Sequence, residues 1–198
     1  MNMRGGLDAV RSTTRMSRPF TTTVSIFPGA EVWRSVPSSV TSVAFRLPAF
    51  EGKLRVRERR HPKLYWVDPG LVRAARKSLH PPSREEAGPL LEGWLAVLLR
   101  FHCEYDRLFD AMHYWAPADG PLEVGFLLSR GKEFLAVEVK HGEAVHPQHL
   151  RGLRAIAPLK GLRRRILVCL GPRRLRLEDG IEVLPVEAFL ELLRDGKL

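Results

Sequence analysis

The chain has 198 residues, 44% apolar and 27% charged, which suits one ordinary domain with a small unit before it and argues against a wholly disordered chain. Its longest uninterrupted apolar run, Trp94–Leu99, is too short to span a bilayer, and two cysteines, Cys103 and Cys169, exclude a disulfide scaffold and a four-thiolate zinc site. Lys and Arg number 32 against 22 Asp and Glu, a net +10, so DNA or another polyanion is the first partner to consider, and without an apolar leader or membrane span a cytoplasmic chain is expected.

Residues 1–42 mix Ser, Thr, Pro and Gly without a helical period and are expected to form a poorly ordered extension. From Val43 two strand-like stretches, VAFRLPAF and KLYWVDPGL, flank the basic connector EGKLRVRERRHP, which predicts a hairpin with a positively charged tip. Asp68-Pro69-Gly70 marks a turn, and LVRAARKSL predicts a short helix ending before Pro81-Pro82. PPSREEAGP then reads as loop and helix entry, and PLLEGWLAVLLRFHCE predicts a helix over 89–104, with Leu91, Trp94, Leu95, Leu98 and Phe101 at helical spacing. AMHYWA, PLEVGFLLS and EFLAVEVKH predict three successive strands. They are followed by a helix over His149–Leu159, the strands RRILVCLG and LEDGIEVLP, and the closing helix VEAFLELLRDG. A meander followed by a helical crossover makes the expected fold α/β, a mixed sheet flanked by helices.

Charge is uneven. Residues 1–87 carry 16 Lys and Arg against 7 Asp and Glu (+9), and residues 88–198 carry 16 against 15 (+1). Arg151–Arg176 holds nine basic residues and no acid, so Arg163, Arg164, Arg165, Arg173 and Arg174 are candidates for tracking phosphates; an ordinary solvated surface is the competing explanation.

The chemistry-bearing stretch is AVEVKHG. In a strand Glu138 and Lys140 project from one face, and a carboxylate beside an ammonium at a strand end suits metal-dependent phosphodiester hydrolysis. One strand earlier Glu123 and Gly125 share a face in LEVGFLL. Upstream, Glu92 is the only ionisable residue between Gly88 and Leu99, so it must reach solvent, find a partner or stay protonated.

Five stretches, HPKLYWVDPGL, LLEGWLAVLLR, HYW with LEVGFLL, FLAVEVKHG and GIEVLPVEAFL, resemble in order and spacing one prokaryotic family. It is the C-terminal domain of unknown function carried by a large group of AAA+-type ATPases. The resemblance runs from about Val43 to the C-terminus. It implies a restriction-endonuclease-like fold of the PD-(D/E)-x-K superfamily over 88–198, preceded by a winged-helix or linker remnant over 43–87 that keeps a basic wing-like hairpin. The family's ATPase module is missing from this chain, which has no G-x-x-x-x-G-K-[ST] phosphate loop, so a separate ATPase subunit joins DNA among the candidate partners.

Carried over by this resemblance, Glu92 matches the helix-borne acid, and Glu138 and Lys140 match the E-x-K pair. Where the family has E-V-D-F, this chain has Glu123-Val124-Gly125-Phe126, so Gly125 stands at the position of a metal-binding Asp. Glu138 is then the one remaining anionic metal ligand, and the site is expected to be degenerate, with no resident cofactor. The implied function is a nuclease-like domain that binds nucleic acid or a partner. An active magnesium-dependent nuclease with a relocated Glu123 is the alternative, and a truncated interaction module without DNA binding is the third possibility. His141, Glu143, His146 and His149 are a weak zinc candidate beside Pro147. Tyr65-Trp66 and Tyr114-Trp115, which could stack bases, and the two cysteines are expected in the core.

Overall fold

The computed structural model describes residues 43–52 and 61–198, so the extension expected over 1–42 and most of the basic connector lie outside the described residues. β1 (Ala44–Leu47) and β2 (Lys63–Trp66) pair antiparallel, Ala44 opposite Trp66 and Leu47 opposite Lys63. Strand alternation buries Phe45 and Leu47 while Arg46 faces out. α1 (Pro69–Ala75) starts where the Asp68 side chain accepts from the Gly70 N–H at 2.7 Å. α2 (Arg84–Glu104) is the long helix.

The central sheet has six strands: β3 (Ala111–Trp115), β4 (Val124–Arg130), β5 (Glu133–Lys140), β6 (Leu162–Cys169), β7 (Leu175–Arg176) and β8 (Glu182–Pro185). Their order is β3-β4-β5-β6-β8-β7. β3, β4 and β5 form the expected antiparallel meander. The chain then crosses through a 3-10 turn (Pro147–Leu150) and α3 (Arg151–Ala155) to place β6 parallel to β5, and β8 lies parallel to β6. α4 (Val186–Arg194) closes the chain. The molecule is therefore mixed α/β.

Two apolar layers cover the sheet. One packs Leu95, Ala96 and Leu99 of α2 and Phe189 and Leu193 of α4 over Phe126, Leu128, Val137 and Ile166, with Phe45, Leu47 and Tyr65 joining from the small sheet. The other packs Leu150, Leu153 and Ile156 against Val124, Leu127, Ala136 and Leu167. The small sheet is also fastened to the edge of the large one: Tyr114 donates to the Pro48 carbonyl at 3.0 Å and Phe50 donates to the Tyr114 carbonyl at 2.7 Å.

Four elements differ from the sequence expectation. α1 takes in Pro69 and Gly70, where a turn is expected, because the Asp68 side chain caps it, and it ends at Ala75. α2 begins at Arg84, because Ser83 and Glu86 form a reciprocal capping box that holds the first turn and leaves Pro89 inside the helix. The helix expected over His149–Leu159 is shorter, a 3-10 turn leading into only five α-helical residues. β7 is two residues long and has no pattern to betray it. Among the described residues no helix is long and apolar enough to cross a membrane.

Candidate functional site

Glu92 heads the sheet-facing stripe of α2, four residues before Ala96 and seven before Leu99, so the packing that buries those residues also carries its carboxylate toward the sheet. Glu138 and Lys140 lie at the C-terminal end of β5. Gly125 lies near the start of β4, where the strand carries one extra residue. His113 pairs with Leu127, but Trp115 pairs with Val124, so two steps along β3 match three along β4. Such a bulge turns the strand locally and re-aims its side chains. Glu123, just before β4, is fixed through its backbone by α3. A Cβ on Gly152 would come within 1.8 Å of the Glu123 carbonyl oxygen, so only glycine permits that approach.

These elements meet around Gly125. Its N–H donates to Glu138 Oε2 at 2.8 Å, and Lys140 Nζ donates to Glu138 Oε1 at 2.7 Å, so both oxygens of this carboxylate have partners. Glu138 is 8% exposed and is the buried charged residue among those described. An ideal Cβ on Gly125 would lie 3.6 Å from Glu138 Oε2 and 3.9 Å from Glu92 Oε1, ordinary van der Waals separations. The glycine is thus not required by crowding, and position 125 points between the two carboxylates.

Two further residues enter from β2. Lys63 Nζ donates to Glu92 Oε1 at 3.2 Å and to Glu123 Oε1, and it lies 5.4 Å from the centre of the Tyr114 ring. The Tyr65 hydroxyl donates to the same Glu92 oxygen at 2.5 Å. Burial by itself would lower the Lys63 ammonium, but Glu92 and Glu123 overcome it and hold the group above its ordinary value. Burial would likewise raise Glu92, yet Lys63 and the Tyr65 hydrogen bond hold it below the ordinary carboxylate value. Glu138 goes the other way: burial raises it despite Lys140 and the Gly125 N–H. Burial, with Glu92 adding to it, raises the Tyr65 phenol well above its ordinary value, so it stays protonated as a donor.

The sequence singled out Glu92, Glu123, Gly125, Glu138 and Lys140, and the structure brings all five to one place. The sequence reading leaves Lys63 aside and expects Tyr65 in the core, not at this site. A Lys-x-Tyr alternation was the available signal, since it puts both side chains on one face of β2.

The arginines do not gather in the same way. Arg163 is near the start of β6 and Arg173 and Arg174 follow its end, roughly 20 Å away along an extended strand. Arg164 pairs with Glu182 through two hydrogen bonds, 2.9 and 3.0 Å, and reaches the Lys197 carbonyl beyond α4. Arg165 turns to the opposite face and donates to the carbonyls of Leu153 and Asp179. Arg163 pairs with Glu133 at 2.6 Å and Arg174 with Glu191 at 2.6 Å, while Arg173 is exposed.

The remaining candidates are placed as follows. Tyr65, Tyr114 and Trp115 are buried. Cys169 is buried, and burial with Glu104 nearby pushes the Cys103 thiol up to about 11, which keeps it protonated and unreactive at neutral pH. His146 and His149 pack edge to face, and His149 Nδ1 accepts from the His146 N–H. Among the described residues no three His, Cys, Asp or Glu side chains are placed to hold a metal ion.

Residues 87–189, just over half of the chain, match the family described as Domain of unknown function (DUF4143). The chain belongs to this family. The DUF4143 match takes in Glu92, Glu123, Gly125, Glu138 and Lys140 and leaves Lys63 and Tyr65 outside. Comparison with curated proteins and with solved structures gives no match.

The fit of a divalent metal follows from the donors. Magnesium takes oxygen ligands in near-octahedral geometry at about 2.0–2.1 Å. Here both Glu138 oxygens, one Glu92 oxygen and one Glu123 oxygen already accept hydrogen bonds from the chain, and position 125 offers none. The residues present do not fit such an ion.

Proposed function

We propose that this chain is a nuclease-derived module of the PD-(D/E)-x-K type that has stopped cleaving and acts by binding nucleic acid, in partnership with an AAA+-type ATPase. The single observation behind the non-hydrolytic assignment is Gly125, which leaves the gap between Glu92 and Glu138 without a carboxylate. An active nuclease with Glu123 relocated would need that side chain to leave Lys63 and its backbone to leave Gly152. Nucleic-acid binding is supported by the +9 charge of residues 1–87 and by the accessibility of three arginines. Arg173 is exposed, and the side chains of Arg163 and Arg174 remain 68% and 53% exposed despite their ion pairs.

The test combines two assays on the full chain. Fluorescence polarisation with duplex and single-stranded DNA should show affinity that falls steeply with added salt. Replacing Arg163, Arg173 and Arg174 by Ala should flatten that slope. Plasmid and single-stranded DNA should stay uncut in magnesium or manganese. Metal-dependent cleavage lost on Glu138→Ala would reinstate the hydrolytic alternative. Absence of salt-sensitive binding would leave a protein-interaction module.

A further inference from the structure

The carboxylates around Gly125 have a cation, and it belongs to the chain. Lys63 Nζ sits between Glu92 and Glu123, with the Tyr114 ring face behind it and the Tyr65 hydroxyl sharing its Glu92 oxygen. Its side chain is only 23% exposed, so the ammonium is held inside the cluster and not waved past it. Lys140 takes the remaining acid, Glu138. Two ammonium groups thus face three carboxylates, and every one of the three has a short contact to a lysine.

We propose that Lys63 is the resident cation of this site, bridging Glu92 and Glu123 where a divalent metal would otherwise find two of the three carboxylates, and that it excludes such metals from the folded protein. This rests on the non-hydrolytic assignment above and explains how the site is kept closed. An ammonium and a divalent ion compete for the same oxygens, and the ammonium is tethered. Its effective concentration is set by β2, which packs against α2 and joins the core through Tyr65. The pKa shifts of Lys63 and Glu92 agree with a pair charged on both sides at neutral pH.

Manganese binding to the full chain provides the test, read by isothermal titration. The unmodified protein should show no site-specific binding at sub-millimolar manganese. Lys63→Gln, which keeps a polar group of similar length but no charge, should gain at least about tenfold in affinity, and Lys63→Arg should behave like the unmodified chain. Equal manganese affinity in the unmodified chain and in Lys63→Gln would overturn the proposal. A second measurement covers the case in which Lys63→Gln does not fold. Amide resonances of Gly125 and Glu138 in the unmodified protein should not be selectively broadened by micromolar manganese, and selective broadening there would also overturn it. The two assignments fail separately. Manganese binding without DNA cleavage removes the resident-cation proposal alone, whereas manganese exclusion without DNA binding removes the binding function alone.

Discussion

Two charged regions of this molecule, the carboxylate site around Gly125 and the arginine run on β6, follow opposite plans. The carboxylates come from a helix, a strand end and the segment before a bulge, and they converge on one small volume with lysines between them. The arginines are neighbours in sequence, and the strand scatters them: consecutive side chains go to opposite faces, and most are spent on separate local acids or carbonyls. Adjacency in sequence is therefore a poor guide to a shared surface in a strand. Convergence of distant residues is what builds a site.

Several substitutions sharpen this contrast. Lys63→Met should have the largest effect, because it leaves Glu92 and Glu123 facing each other without a cation; a loss of about 3 kcal/mol in urea unfolding is expected. A loss no greater than that of a surface arginine would mean the cluster is not one electrostatic unit. Gly125→Asp comes next. Its Cβ fits, but a third carboxylate beside Glu138 and Glu92 should lower stability by about 2 kcal/mol in the absence of metal. In a Lys63→Gln background the same change should let manganese raise the melting temperature, and Lys140→Ala, which frees a Glu138 oxygen, should increase that gain.

The pH dependence of stability separates the acids by sign. Glu92 is held below its ordinary 4.5, so its contribution is present above 4.5 and disappears as pH falls through the folded value. Glu138 is held above 4.5, so the folded state prefers its neutral form and gains stability as pH falls through the raised value. Thermal melts between pH 3 and 7 should therefore show a shallower acid limb in Glu92→Gln and a steeper one in Glu138→Gln. Two shifts of the same sign would contradict the burial-dominated environment assigned to Glu138. The smallest effect belongs to the arginines: Arg174→Ala, whose ion pair is solvent-exposed, should change stability by less than about 0.5 kcal/mol.

Much of the fold was legible because its periodicities are local. The Val-Glu-Val-Lys alternation that ends β5 and the 3.6-residue pattern around Leu95 and Leu99 each lie within a single element, whereas Asp68-Pro69-Gly70, which reads as a turn, opens α1. The sequence expectation starts α2 at Pro89, a residue the first turn tolerates, whereas Ser83 and Glu86, at capping-box spacing, start the helix at Arg84. In the site, Glu92, Glu138, Lys140 and position 125 were legible from a family pattern. Lys63 was not, since it becomes part of the cluster only when β2 docks on α2, and nothing local to KLYW requires that contact. The bulge was invisible for a similar reason: it exists in the pairing of β3 with β4, not in either strand alone.

The family match begins at residue 87, yet Lys63 and Tyr65 lie before it, and Phe45, Leu47 and Tyr65 belong to the main apolar layer. What sequence similarity delimits is thus smaller than what closes up on itself. A fragment starting at residue 87 would carry the carboxylates into solution with half of their countercharge removed and the apolar surface beneath Phe45, Leu47 and Tyr65 uncovered. If such domains are shuffled among proteins, the piece that can be transplanted intact is the one that begins with β1.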